Sequence, residues 1–306
     1  MLLKMRARRT DSAAEYAAVP LPSIRLTGRA LGLDIGGTGI KAAIVDLSTG
    51  RLVTDRIREL TPRPATPKAV MNVVASVVRS LEATGKLTPN MPGGAGFPSV
   101  IRAGRAMTAT HGDASWIGMD IRQTLSERLG GPIAVLNDAD AAGVAEMAYG
   151  AGKGQHGVVL LLDLGTGIGS ALFTNGQLVP NMQLGHVELH GRDAETRLSP
   201  AARKRRRIGW KQWAGEFNEL LARYEAYVWP DLIIVGGGLA KDFPKFGQLL
   251  KSSAPLVAAT IGTNAGIVGA ARVGRYRSRN SVRSDRRMNS AARAGSSASQ
   301  RQARPR

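Results

Sequence analysis

Two short stretches of this 306-residue chain join an acid, glycines and a hydroxyl in an order suited to phosphate chemistry. In Leu31-Gly-Leu-Asp-Ile-Gly-Gly-Thr-Gly-Ile-Lys41 an apolar run enters Asp34, turns through Gly36, Gly37 and Thr38, and leaves through Lys41 into Ala42–Val45. Glycines let backbone N–H groups approach an anion with no Cβ in the way, and the threonine hydroxyl adds a donor. Asp34 is placed to hold a hydrated divalent cation beside that anion. A second copy, Leu162-Asp-Leu-Gly-Thr-Gly-Ile-Gly169, follows about 130 residues later and contributes Gly165, Thr166 and Gly167. Two such turns imply two related lobes facing one phosphate chain.

Asn137-Asp138 ends a short apolar run just before an alanine-rich segment. Alone, the pair reads as a helix cap. Beside two phosphate turns, Asp138 reads as a general base that takes the proton of an attacking hydroxyl, with Asn137 orienting the substrate. Asp140 is assigned to the cap. A third glycine run, Gly236-Gly237-Gly238, leaves a strand and reads either as a close backbone approach to a ligand or as a flexible connector.

The elements that must hold these residues are read from periodicity. Strands are expected from Leu31 into Asp34 and at 42–45, Arg51–Glu59, Ile133–Leu136, Val158–Asp163, Ser170–Thr174 and Asp231–Val235. Val70, Val73, Val74, Val77, Val78 and Leu81 repeat at helical spacing, with Gly85 as the closing cap. Helices are further expected at Ile121–Leu129, Ala139–Tyr149, through most of 193–229 and at Asn264–Arg272. Trp210 and Trp213 belong to a buried helix face in the third of these. Pro92-Gly-Gly-Ala-Gly-Phe-Pro98 reads as a glycine-rich loop. Alternating strands and helices with glycine turns at strand ends argue an α/β fold with ligands at those ends.

The formal net charge is +19 and cysteine is absent, which excludes disulfides and thiolate metal sites. No apolar run is long enough to span a bilayer, and the basic N-terminus lacks the apolar core of a secretory signal, so a cytoplasmic protein without a membrane partner is expected. The charge is uneven. Residues 275–306 carry ten Arg and one Asp, a composition that builds no core and is read as a disordered, solvated tail. Inside the expected folded region, Arg203, Lys204, Arg205, Arg206 and Arg207 form a run of five cations. They read as a solvated stretch, an RNA-binding patch or a track for a long phosphate polymer, to which Lys41, Lys153 and Lys241 could add.

Over about residues 30–274 the sequence resembles the ROK sugar kinases of the actin-like ATPase superfamily, and within them the bacterial polyphosphate glucokinases and polyphosphate/ATP glucomannokinases. Besides the two phosphate turns, the resemblance is carried by Gly96-Phe-Pro98, Asn137-Asp-Ala-Asp-Ala-Ala-Gly143, Leu184-Gly-His186, Asp193-Ala-Glu195, Pro230-Asp-Leu-Ile-Ile-Val-Gly-Gly-Gly238 and Asn264-Ala-Gly-Ile-Val-Gly-Ala-Ala271. It implies a two-lobed actin-like (ribonuclease H-like) fold of mixed sheets, flanking helices and an interlobe cleft. The expected divisions are an extension at 1–29, a small lobe at 30–138, a large lobe at 139–262, a last helix at 263–274 packing back on the first lobe, and the tail. The implied activity is phosphoryl transfer from polyphosphate, ATP or both to the 6-hydroxyl of glucose or mannose. Asp138 is the implied base, with Phe97, Pro98, Asn137, Gln183, His186 and Glu195 around the sugar and Asp34 holding Mg²⁺ through water. The implied protein is a monomer or homodimer. Three positions depart from the pattern: Gln183 replaces a usual Glu, Ser99 a usual Gly, and the cysteine-based zinc site of many members cannot exist, so no zinc is expected. The competing readings are an ATP-only kinase of the same family, a sugar-responsive repressor, for which 29 residues ahead of the first strand are too few to form a winged helix, and a nucleic-acid binder motivated by the charge alone. Nucleic acid is not expected as a partner.

Overall fold

The apolar runs that end in Asp34 and Asp163 become equivalent central strands of two sheets. The computed structural model describes residues 24–109 and 112–280. The first sheet has the order β3-β2-β1-β5-β8, from β1 (Arg29–Ile35), β2 (Ile40–Asp46), β3 (Arg51–Leu52), β5 (Gly93–Phe97) and β8 (Ile133–Asn137), with β4 (Ile57–Glu59) also paired to β2. The second has the order β11-β10-β9-β14-β15, from β9 (Val158–Leu164), β10 (Ile168–Thr174), β11 (Gln177–Val179), β14 (Leu232–Gly236) and β15 (Leu256–Ala258). In each, the Asp-bearing strand pairs antiparallel with the next strand and parallel with a later one. The duplication read in the two turns therefore extends to whole sheets. Two small hairpins, β6 (Ile101–Arg102) with β7 (Arg105–Ala106) and β12 (Glu188–Leu189) with β13 (Arg192–Asp193), complete the strands.

Alternation along each central strand sorts the core. Leu31, Leu33 and Ile35 face an outer cluster with α1 (Pro67–Glu82) and α2 (Ile121–Leu129), whereas Ala30 faces a middle layer. Leu160, Leu162 and Leu164 likewise face an outer cluster with α6 (Trp210–Val228), while Val159 and Leu161 face the same middle layer. That layer is filled by α3 (Asp138–Tyr149) and a last helix, α8, over 265–280. In chain order, α4 (Ala194–Leu198) and α5 (Pro200–Arg206) precede α6 and a short α7 (Phe243–Phe246) follows β14, with Ala194, Leu198 and Phe246 buried in the outer cluster of the second sheet.

Several sequence expectations change. The glycine-rich segment at 92–98 is not a loop: Gly93–Phe97 is a fully buried strand between β1 and β8. Its glycines accommodate neighbours, since a Cβ on Gly94 would sit 1.9 Å from the Ala270 carbonyl oxygen of α8. α1 ends at Glu82 with Ala83 as its cap, and Gly85 (φ +67°) serves the turn beyond. The single strand expected at Arg51–Glu59 is two, β3 and β4. Ser199 and Gly209 cap successive helices, breaking the 193–229 stretch into three. Trp213 is fully buried and donates to the Leu198 carbonyl at 2.8 Å, while Trp210 is half-buried with the Arg203 guanidinium 3.7 Å over its ring. α8 continues to 280 rather than stopping near 272, so the first residues assigned to the tail are helical. Residues 1–23 of the expected N-terminal extension and residues 281–306 of the expected basic tail lie outside the described residues.

Candidate active site

One cleft of about 1230 Å³ collects most of the chemistry. The first phosphate turn lies on one wall, where the Gly36 N–H donates to the Gly39 carbonyl and the Thr61 hydroxyl to the Gly36 carbonyl. The second lies opposite, closed by the Gly165 N–H on the Gly167 carbonyl. Gly36, Gly37, Thr38, Gly165, Thr166 and Gly167 all line the space. Gly236, Gly237 and Gly238 line it too, and their run is no loose connector. Gly237 has φ +73°, and a Cβ there would meet Asp163 Oδ1 at 2.3 Å, so the backbone is packed against the second turn.

Asp138 stands on the cleft wall as the first residue of α3. There the unpaired N–H groups and helix dipole favour a carboxylate. The cap is Asn137 and not Asp140: the Asn137 Oδ1 accepts from the N–H of Ala139 (2.9 Å) and of Asp140 (3.1 Å). Asn137 also donates to the Ser99 carbonyl at 3.2 Å, which ties the start of α3 to the segment after β5. The helix-cap and active-site readings of Asn137-Asp138 thus describe two neighbouring side chains. Asp140 is instead buried in the first turn of α3, accepts the Asn181 N–H at 2.8 Å and leaves its other oxygen without a hydrogen bond. Burial, with Asp138 adding repulsion, pushes its carboxyl up to about 8.

Asp163 also lines the cleft and was quoted in the second turn without a role. Burial first, then repulsion by Asp138 and Asp34, pushes its carboxyl up to about 7, against the pull of Lys41. Its equivalence to Asp34 in the repeated strand was the available signal. Lys41 itself pairs with Asp34 at 2.6 Å.

On the sugar side, Pro98, Gln183, His186 and Glu195 line the cleft. His186 Nδ1 lies 2.7 Å from Asp193 Oδ2, and Asp193 caps α4 by accepting the Glu195 N–H at 2.8 Å. Glu195 in turn accepts the Ile168 N–H at 2.8 Å, joining the sugar side to the second phosphate turn. Phe97 does not line the cleft: it is buried and packs on Trp116, with ring centroids 4.8 Å apart. Ser99, at the expected glycine, has its hydroxyl on the Thr108 carbonyl at 2.8 Å.

The five cations of the run do not all face the cleft. Arg203 and Lys204 face the cleft, as does Lys241. Arg205 donates to the Thr196 carbonyl, Arg206 forms a two-pronged ion pair with Glu216 at 2.7 Å, and Arg207 is the left-handed cap of α5. Lys153 is exposed and outside the cleft. The cleft gains instead Arg56, Arg58 and Arg63 from the first sheet side, which the sequence reading passed over. Gly262, Thr263, Ala265 and Gly266, at the N-terminal end of α8, complete this wall, with Gly266 packed on Asp34.

The sequence and the fold both have counterparts among known proteins. The ROK family model matches residues 30–200. A polyphosphate glucokinase of Mycobacterium tuberculosis is 44% identical over 263 residues, covering 86% of this chain and 96% of the relative. The crystal structure of an inorganic polyphosphate/ATP-glucomannokinase from Arthrobacter sp. strain KM superposes with a TM-score of 0.78 at 46% identity, covering 80% of this chain and 97% of that one. A ROK family glucokinase from Streptomyces griseus shares the fold, with a TM-score of 0.68 at 24% identity and coverage of 81% and 99%. The two-lobed fold is therefore the actin-like ATPase fold. A family match over more than half of the residues, beside relatives aligned along almost their whole length, places the chain in the ROK family.

Proposed function

We propose that this protein is a cytoplasmic hexokinase that moves a terminal phosphoryl group from polyphosphate or ATP to the 6-hydroxyl of glucose, and of mannose as a second substrate. The observation that carries the reading is the position of Asp138: a carboxylate at a helix start, in one cleft with two phosphate turns related by duplication. The relatives named for polyphosphate, and for polyphosphate and ATP together, support the choice of donors.

In this mechanism Asp138 accepts the proton of the 6-hydroxyl as its oxygen attacks phosphorus. His186 and Glu195, both held through Asp193, orient the sugar, with Gln183 and Asn137 beside them. Gln183 supplies a donor and an acceptor in place of a charge, which weakens a hydroxyl contact relative to Glu. Backbone N–H groups of the two turns, with Lys41, Arg203, Lys204 and Lys241, hold the donor phosphates and the charge that develops on transfer. Closure of the lobes excludes water and limits donor hydrolysis.

The donor set also suits Mg²⁺. Among the described residues no cluster of three His, Cys, Asp or Glu forms a full cage, but Mg²⁺ needs only one or two carboxylates beside water and substrate phosphate. Burial first, and then the nearby Asp138 and Asp34, raise Asp163 to about 7, and both Asp34 and Asp163 line the cleft beside the phosphate turns. Asp34 and Asp163 would hold the ion, which when bound neutralises charge on the donor phosphates.

A coupled hexose-6-phosphate assay, with glucose and mannose each against ATP and nucleotide-free polyphosphate, tests the reading. Turnover of glucose with both donors is expected. Turnover with ATP alone would reduce the protein to an ATP-only kinase, and no turnover with either would refute the enzyme.

A further inference from the structure

We propose that Arg58 and Arg56 extend the first phosphate turn outward as a two-step cationic ladder that holds the internal phosphates of a linear polyphosphate. The proposal rests on the polyphosphate-donor reading above and moves the donor's length preference from the Arg203–Arg207 run to the first sheet. β4 lies antiparallel on β2, with Arg58 opposite Lys41 and Ile57 opposite Ala42. Ile57 packs on the outer core, so alternation sends Arg56 and Arg58 to the other side, where both are exposed and line the cleft. They are about 6.6 Å apart along the strand direction.

Each rung is placed by its contacts. The Arg58 guanidinium lies over the first turn: a Cβ on Gly39 would sit 3.1 Å from its Nε and 3.3 Å from its Nη2. Arg56 reaches along the same wall, donating from Nη1 to Thr263 Oγ1 at 2.7 Å and Asn264 Oδ1 at 3.0 Å, just before α8. Among the described residues no carboxylate pairs with either guanidinium. Arg206, by contrast, is neutralised by Glu216. Two uncompensated guanidiniums at a groove edge, stepping away from a phosphate turn, match a donor whose phosphates continue where a nucleotide turns into ribose and base. The planar fork of Arg suits paired phosphate oxygens.

The test uses the full chain with R56Q, R58Q and the double variant, assayed at saturating glucose with ATP, tripolyphosphate and long-chain polyphosphate. The double variant should raise the KM for long chains roughly tenfold or more. It should lower the slope of log KM against log salt by about one per arginine removed. The KM for ATP, which also reports that the variants fold, should move by about threefold at most. R56K with R58K should recover part of the long-chain affinity. An unchanged long-chain KM and salt slope would overturn the ladder while leaving the donor reading intact. An equal loss with all three donors would also overturn it, leaving Arg56 as a structural tie to Thr263 and Asn264. Wild-type protein inactive with every polyphosphate would sink the donor reading and the ladder together.

Discussion

Three acids of similar sequence context end up in different electrostatic states. Asp138 sits at a helix start facing the cleft, Asp163 at a strand end among like charges, and Asp140 inside the middle layer. Asp140 carries a measurable consequence. Its carboxyl is raised from 3.8 to about 8, so across that window the folded chain keeps a proton that the unfolded chain has released. Stability therefore falls as pH climbs through the window and levels off above it. Asn in place of Asp140 keeps a carbonyl oxygen for the Asn181 N–H and never ionises. D140N should gain on the wild type as pH rises from about 5 to about 8, by several degrees at the upper end, at ~2–4 °C per kcal/mol. Thermal melts at the two pH values check this, and a gap that stays constant would contradict it. The residue types at the two turns were legible in the sequence because acid, glycine and hydroxyl have few other reasons to adjoin, whereas Asn137-Asp138 stood out from an ordinary helix cap only beside them. Arg56 and Arg58 were not, because two arginines flanking an isoleucine look like any exposed strand face until the partner strand is known.

At the scale of elements, glycine positions decide how closely the middle layer packs. Gly32 and Gly94 of the first sheet meet the backbone of Ile267 and Ala270 on α8, and Gly269 of α8 meets the backbone of Ala141 on α3, where a Cβ would lie 1.7 Å from a carbonyl oxygen. These contacts set α8 against the first sheet and α3, with Asp138, against α8. G94A should cost about 3 kcal/mol, the upper end for overpacking, because the atom it strikes is backbone and cannot rotate away. Urea unfolding should show a lower midpoint with an unchanged slope. A midpoint equal to wild type would mean that α8 shifts freely and does not fix the base. The same contacts explain why a glycine-rich segment was read as a loop. Local propensity disfavours glycine in strands, and only the helix arriving from more than 170 residues downstream makes it necessary. Strands and helices with clear periodicity were legible; the length of α8 was not, since its arginine-rich end looks solvated in sequence.

Across the whole molecule, two sheets of matching topology turn their equivalent strand ends toward one cleft. The repeat in sequence foretold that symmetry, whereas the residues proposed for the sugar side came only from the resemblance to sugar kinases, and one of them, Phe97, lies outside the cleft. The basic run at 203–207 was misleading because charge in sequence does not show which cations are already paired. The account as a whole depends on Asp138 removing a proton from a sugar hydroxyl held between the phosphate turns. The most direct measurement is steady-state phosphorylation of glucose by D138N beside wild type, with calorimetric binding of glucose to both. The account predicts a fall in kcat of about 10²–10⁴ with glucose affinity within about tenfold. A kcat within about threefold of wild type would contradict it.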